Sequence, residues 1–253
     1  MKRQSVRLIN SLLLANGTTA LLFSVIVNSN ILALIGLGLV FWGALFLYIE
    51  PLKYVQARIL HASTSSPIET LTQLTTALNY NGKAIYLPPR YFPQPRNEKM
   101  FINWGQSERL PPLETVNRTE VLTNDPLGLC VSPPGLALTN LYEQELGTQF
   151  TNIDLYDFQE KIPKMMTEDL EIAKEFALDF EANRITISVS DHIYQDLCSS
   201  RQSNRSALCC PLCSSIAVAL ARTLNTLITI ETIKFSQENT RLVVHYQSIE
   251  EAL

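Results

Sequence analysis

Nothing in this chain is repeated, low in complexity or strongly basic, and its 253 residues include only nine glycines and three histidines. Collagen-like and disordered chains need compositions that are missing here. Without a basic run there is no surface for reading phosphates, since nucleic-acid affinity rests on lysine and arginine neutralising the backbone. With a net charge of −4, no nucleic-acid partner is expected. Neither Gly-x-x-x-x-Gly-Lys nor Gly-x-Gly-x-x-Gly occurs, which removes the two common phosphate loops. Gly-x-Ser-x-Gly is missing too, and with it the nucleophile elbow of a hydrolase. Five cysteines are too few for a disulfide-built miniprotein.

Charge is also scarce at the start of the chain. Leu8 to Val27 and Ile31 to Ile49 carry none, and only Asn28-Ser29-Asn30 separates them. At 1.5 Å per residue each run reaches about 30 Å, the thickness of a bilayer's hydrocarbon. The pattern predicts a transmembrane helical hairpin with spans at about 8–27 and 31–49. A lipid bilayer is thus the expected partner of residues 8–49. Lys2, Arg3 and Arg7 before the first run and Lys53 and Arg58 after the second predict cytoplasmic ends and a multi-pass location in the cell membrane. A cleaved signal peptide fits less well, because no small-x-small site lies near residues 20–30. Ala15, Gly17 and Ala20 against Gly36, Gly38, Gly43 and Ala44 would let two backbones approach closely, with Asn10 and Asn16 as pairing glue.

The first 50 residues hold three bases and one acid, and the remainder 17 bases against 23 acids. That remainder reads as a linker helix over 51–65 and then a cytoplasmic domain over 66–253. Ser66-Pro67 predicts a helix start, with Ile68, Leu71, Leu74 and Leu78 on one face. Short strands are expected at Lys83–Leu87, Met100–Trp104 and Leu129–Val131, in a region holding seven of the 13 prolines. Helices are predicted from Gly135 to Gly147, over Asp154–Ile162 and after Thr167, where Leu170, Ala173, Phe176, Ala177 and Phe180 form an apolar face. Glu143 and Glu145 fall on the solvated side of the first of these. Arg184–Val189 alternates as a strand, a short helix covers Ile193–Cys198, and Pro211 opens another helix ending near Leu224. The chain closes with a hairpin of Leu227–Phe235 and Arg241–Ser248. Helices and strands without regular alternation predict α+β.

The chemistry-bearing residues gather in the second half. Cys209-Cys210-Pro211-Leu212-Cys213 opens a helix, whose positive end favours thiolates. Cys210 and Cys213 form a Cys-x-x-Cys pair, so thiol redox chemistry is one reading. A second is a metal centre, zinc or iron–sulfur, on Cys198, Cys209 or Cys210, and Cys213, with His192 or Cys130 as a fourth ligand. The third reading is packing, since cysteine is small and commonly buried. A cytoplasmic address disfavours a structural disulfide. Asp191-His192 with a serine from 199–215 would suit a hydrolase, but no motif fixes that geometry and no catalytic residue is assigned. Ser132-Pro133-Pro134-Gly135 reads as a rigid connection into a helix, and His245 as a strand residue.

Three phrases, Lys83-Ala-Ile-Tyr-Leu-Pro-Pro89, Ser132-Pro-Pro-Gly-Leu-Ala-Leu138 and Cys210-Pro-Leu-Cys-Ser-Ser-Ile-Ala217, together resemble an uncharacterised family of archaeal membrane-anchored proteins. The resemblance implies no activity. The closing helix and hairpin are also similar to the end of 4-vinyl-reductase-type small-molecule-binding domains, without their glycine-and-cysteine hairpin signature. The expected function is therefore binding or assembly rather than catalysis, with a membrane-protein partner or self-association. The alternative is a thiol, metal or redox protein built on the four cysteines. No cofactor beyond that zinc or iron–sulfur possibility is expected.

Overall fold

The computed structural model describes residues 2–48, 57–80, 82–92, 98–105, 110, 112, 121–181, 183–199, 208–236 and 241–249, with side chains from residue 13 to 45 and from 63 onward. It divides into two compact units, Met1–Val55 and Gln56–Leu253.

The first unit is a helical hairpin of α1 (Lys2–Val27) and α2 (Asn30–Tyr48). Asn28 turns the chain at φ 53, and the Ser29 hydroxyl accepts from Leu32 N–H at the start of α2. Glycines set the close approach. A Cβ on Gly17 would lie 2.8 Å from the backbone nitrogen of Val40, and one on Gly36 2.9 Å from that of Leu21. Gly43 faces Leu14, whereas Gly38 faces open space. Asn16 is exposed, and Asn10 lies outside the described side chains.

The two-span membrane expectation is not upheld: among the described residues no helix is long and apolar enough to cross a membrane. Asn16, Thr18, Thr19 and Ser24 dilute α1. The transmembrane hairpin, the multi-pass location and the cytoplasmic orientation drawn from it are corrected accordingly. The bilayer contact over 8–49 loses its support with them.

The second unit is α+β, as expected. Its sheet has eight strands in the order β3-β4-β2-β1-β7-β8-β6-β5, where β1 is Ala84–Tyr86, β2 Met100–Asn103, β3 Leu122–Asn124, β4 Leu127–Val131, β5 Glu175–Glu181, β6 Arg184–Ser190, β7 Leu227–Phe235 and β8 Arg241–Ile249. Every pairing is antiparallel. The helices are α3 (Ala57–Ala77), α4 (Leu136–Leu146), α5 (Leu155–Lys164), α6 (Gln195–Ser199) and α7 (Pro211–Leu224).

Strand alternation splits the core in two. Ala84, Tyr86, Met100, Ile102 and Leu129 join the main cluster, while Ile85, Phe101, Cys130 and Leu227 form a smaller one. Almost all of α7 is buried, from Pro211 through Arg222. Its small residues Ser214, Ser215, Ala217, Ala219 and Ala221 let it pack between the sheet and α4.

Two predicted elements differ. Residues 175–181 form a strand, not the end of a helix. The helical run stops in a π-turn at Met165–Asp169, and Phe176 and Leu178 then alternate with Glu175, Ala177 and Asp179 while pairing with β6. Ser66-Pro67 also fails to start a helix, because α3 begins at Ala57 and carries Pro67 inside it. The proline removes one intrahelical N–H and leaves the helix otherwise continuous.

Candidate functional site

A groove of about 480 Å³ opens between α3 and α4, with Tyr194 and Pro211 also in its lining. Ser63, Thr64, Pro67, Ile68 and Leu71 come from α3, Ala137, Leu138 and Leu141 from α4, and Ser132 and Pro134 from the connection before α4. Among the described residues no charged side chain lines it. The Ser132-Pro133-Pro134-Gly135 connection places the α4 wall. Gly135 meets the start of α7 so closely that a Cβ would overlap the Ser215 nitrogen and the Pro211 carbonyl oxygen. Its N–H donates to the Ser214 hydroxyl at 3.1 Å, and Thr139 donates to the Ser215 carbonyl at 2.9 Å. Tyr142 and Ser215 share a buried hydroxyl contact at 3.1 Å. These bonds satisfy the polar atoms that the helix contact buries.

Behind Pro211 lies the cysteine cluster. Cys198 on α6 and Cys210 at the N-cap of α7 are joined by a disulfide, contrary to the expectation from a cytoplasmic address. The Cys213 thiol lies 3.4 Å from Cys210 Sγ, and the three sulfurs are within 4.8 Å of one another. Burial pushes the Cys213 thiol well above its ordinary pKa, with Cys209 adding to the rise. The Tyr246 hydroxyl donates to the Cys213 carbonyl at 3.1 Å. Cys209 points elsewhere and makes a 3.0 Å contact with the Tyr86 hydroxyl. Cys130 belongs to the core cluster on the other side of the sheet, where burial raises its thiol to about 11. Of the four predicted cysteines, the fold thus gathers Cys198, Cys210 and Cys213 and sets Cys209 apart. Neither Cys130 nor His192 joins the group.

His192 is 4% exposed, and neither ring nitrogen has a hydrogen-bond partner among the described residues. Desolvation lowers its pKa to about 4. Asp191 pairs with Lys174 at 2.9 Å and is not its orienting partner, so no Asp-His pair of hydrolase type forms. His245 is a strand residue on β8, its Nδ1 3.0 Å from the Thr186 hydroxyl.

Sequence reasoning missed a buried ionic knot. Arg222 on α7 donates to both oxygens of Glu98, at 2.8 and 2.9 Å, and to Asn140 at 2.9 Å. Its Nη1 also lies 2.9 Å from Glu143, in an ion pair too poorly aligned to count as a hydrogen bond. Glu143 is not on a solvated face; it accepts from the Phe150 N–H at 3.0 Å. Glu145, one helical step away, is exposed as expected.

A family model described as a domain of unknown function (DUF7982) matches residues 1–248. That match carries neither the archaeal source nor the membrane anchoring implied by the sequence resemblance. No curated protein and no solved structure matches the chain.

Proposed function

The chain belongs to this family of unknown function, and we propose that its second unit is a binding domain for a neutral apolar small molecule held between α3 and α4. The groove carries this reading. Its volume of about 480 Å³ falls in the roughly 300–1,000 Å³ range of small-molecule sites, which are apolar with a few placed polar groups. Ile68, Leu71, Leu138 and Leu141 supply apolar surface, and Ser63, Thr64, Ser132 and Tyr194 supply hydroxyl groups. A charged ligand would lose water there and gain no counter-charge from the described lining. Decanol titrated calorimetrically into the full chain is expected to bind with a negative heat-capacity change, the mark of apolar burial. Ala137→Trp, which adds bulk to the groove lining from an exposed position, is expected to weaken that binding at least about tenfold while leaving circular dichroism unchanged. Equal binding by the folded variant, or none by the native chain, would end the reading.

A second reading, assembly, is favoured by the outward side chains of the first unit. Leu22, Val25, Ile26, Ile31 and Leu34 are 70–78% exposed, and contiguous apolar patches of this kind mark interaction surfaces. The occupant proposed is a second copy of the chain. Sedimentation velocity over a concentration series should then show a dimer forming; a monomer at every concentration would exclude it.

A further inference from the structure

The cysteine cluster holds an inference that does not depend on the groove. Its three sulfurs come from two helices separated in sequence, and their side chains are buried together. Packing alone does not demand this convergence. Cys209, next to Cys210 and also buried, satisfies itself against Tyr86 instead.

We propose that Cys198, Cys210 and Cys213, once the Cys198–Cys210 disulfide is reduced, bind one thiophilic divalent cation of the zinc class. The disulfide and the metal-loaded trio are then two states of one site. The geometry is close to what is needed. Metal–sulfur bonds of about 2.3 Å place tetrahedral ligand sulfurs roughly 3.8 Å apart, and these three already lie within 4.8 Å of one another. Thiolates select soft or borderline ions over magnesium or calcium.

Charge selects the valence. Three thiolates around a divalent ion leave one negative charge, around a monovalent ion two, and burial penalises the second more heavily. The remaining charge sits at the positive end of a 14-residue helix, because Cys210 is the N-cap of α7 and Cys213 lies in its first turn. His192 and Cys130 lie outside the group, so no fourth protein ligand is present among the described residues.

The conversion balances with a dithiol reductant. Its two S–H groups give up two electrons and two protons and close into a disulfide, while the Cys198–Cys210 bond breaks and each sulfur takes a proton. The cation then displaces the three thiol protons to solvent. Because the ligands must lose their protons to bind, binding strengthens as pH rises.

The test uses the full chain, reduced with a phosphine that is then removed, and cobalt(II) alone as probe. One cobalt per chain is expected, with a thiolate-to-metal charge-transfer band, and none on the oxidised chain. Cys198→Ser and Cys213→Ser should each weaken binding by roughly 100-fold or more, and Cys209→Ser should leave it unchanged. In case a variant does not fold, alkylation of the native reduced chain with and without zinc reads the same site. Zinc should slow modification of Cys198, Cys210 and Cys213 together, and of neither Cys209 nor Cys130. The absence of stoichiometric cobalt on the reduced chain, unchanged affinity in Cys213→Ser, or zinc protection that omits one of the three would overturn the proposal.

Discussion

Lowering the pH from about 7.5 to about 5 is expected to cost the second unit about 2 kcal/mol through His192. The ring is buried beside Phe235, with centroids 6.4 Å apart, and neither nitrogen is hydrogen-bonded among the described residues. Desolvation brings its pKa from 6.5 to about 4. In the unfolded chain the imidazole takes a proton near its ordinary value. Between those two values the unfolded state therefore binds more protons, and stability falls as pH falls. The contribution is intact above about 6.5 and fully lost below about 4. The gap between the two values gives about 3 kcal/mol in total, of which about 2 kcal/mol is lost by pH 5. Urea unfolding of the full chain, followed by near-ultraviolet circular dichroism of the buried tyrosines, reads this unit. His192→Leu should flatten the pH dependence by that amount. A variant with the same slope as the native chain would refute the reasoning.

Arg222→Met should destabilise by about 3–5 kcal/mol, because it leaves Glu98 and Glu143 buried without their cation; adding Glu98→Met should recover part of that loss in the same urea assay. Gly135→Ala should cost about 1–3 kcal/mol through the collision with the start of α7, and the groove wall should shift with it, weakening decanol binding. Tyr142→Phe should cost about 1 kcal/mol for the lost contact with Ser215. Lys174→Ala, which removes an exposed ion pair with Asp191, should leave unfolding unchanged within error, and a large loss would mean that pair is misjudged.

Much of the second unit was legible because its signals are local. Gly147 ends α4 at φ 65, Asp154 caps α5 by accepting from the Asp157 N–H, β6 alternates as expected, and β7 and β8 pair as the expected hairpin. β5 was misread because Phe176, Ala177 and Phe180 suit a helical face as well as a strand. The alternation of Glu175, Ala177, Asp179 and Glu181 with Phe176, Leu178 and Phe180 was the better signal. Ser66-Pro67 looked like a helix start because proline is favoured there, yet α3 had begun nine residues earlier. Glu143 looked solvated because its partner Arg222 is far along the chain.

The site divides in the same way. Four cysteines could be picked out from the sequence, but which three meet depends on the N-cap of α7 sending Cys209 and Cys210 in different directions. Cys130 was excluded only by strand alternation, which puts it on the other side of the sheet. The groove had no sequence signature, since its walls come from four separate segments. In the first unit, Gly17, Gly36 and Gly43 did mark the helix contact. The membrane span inferred from the same residues did not survive.

The central claim is that the space between α3 and α4 is where a ligand sits. Methyl-resolved nuclear magnetic resonance of the full chain during a decanol titration tests it most directly. The account predicts saturable shifts at Ile68, Leu71, Leu138 and Leu141, little change at Ile85 or Leu227 in the smaller core, and loss of the shifts in Ala137→Trp. Shifts that bypass those four residues, or that persist in the folded Ala137→Trp chain, would contradict it.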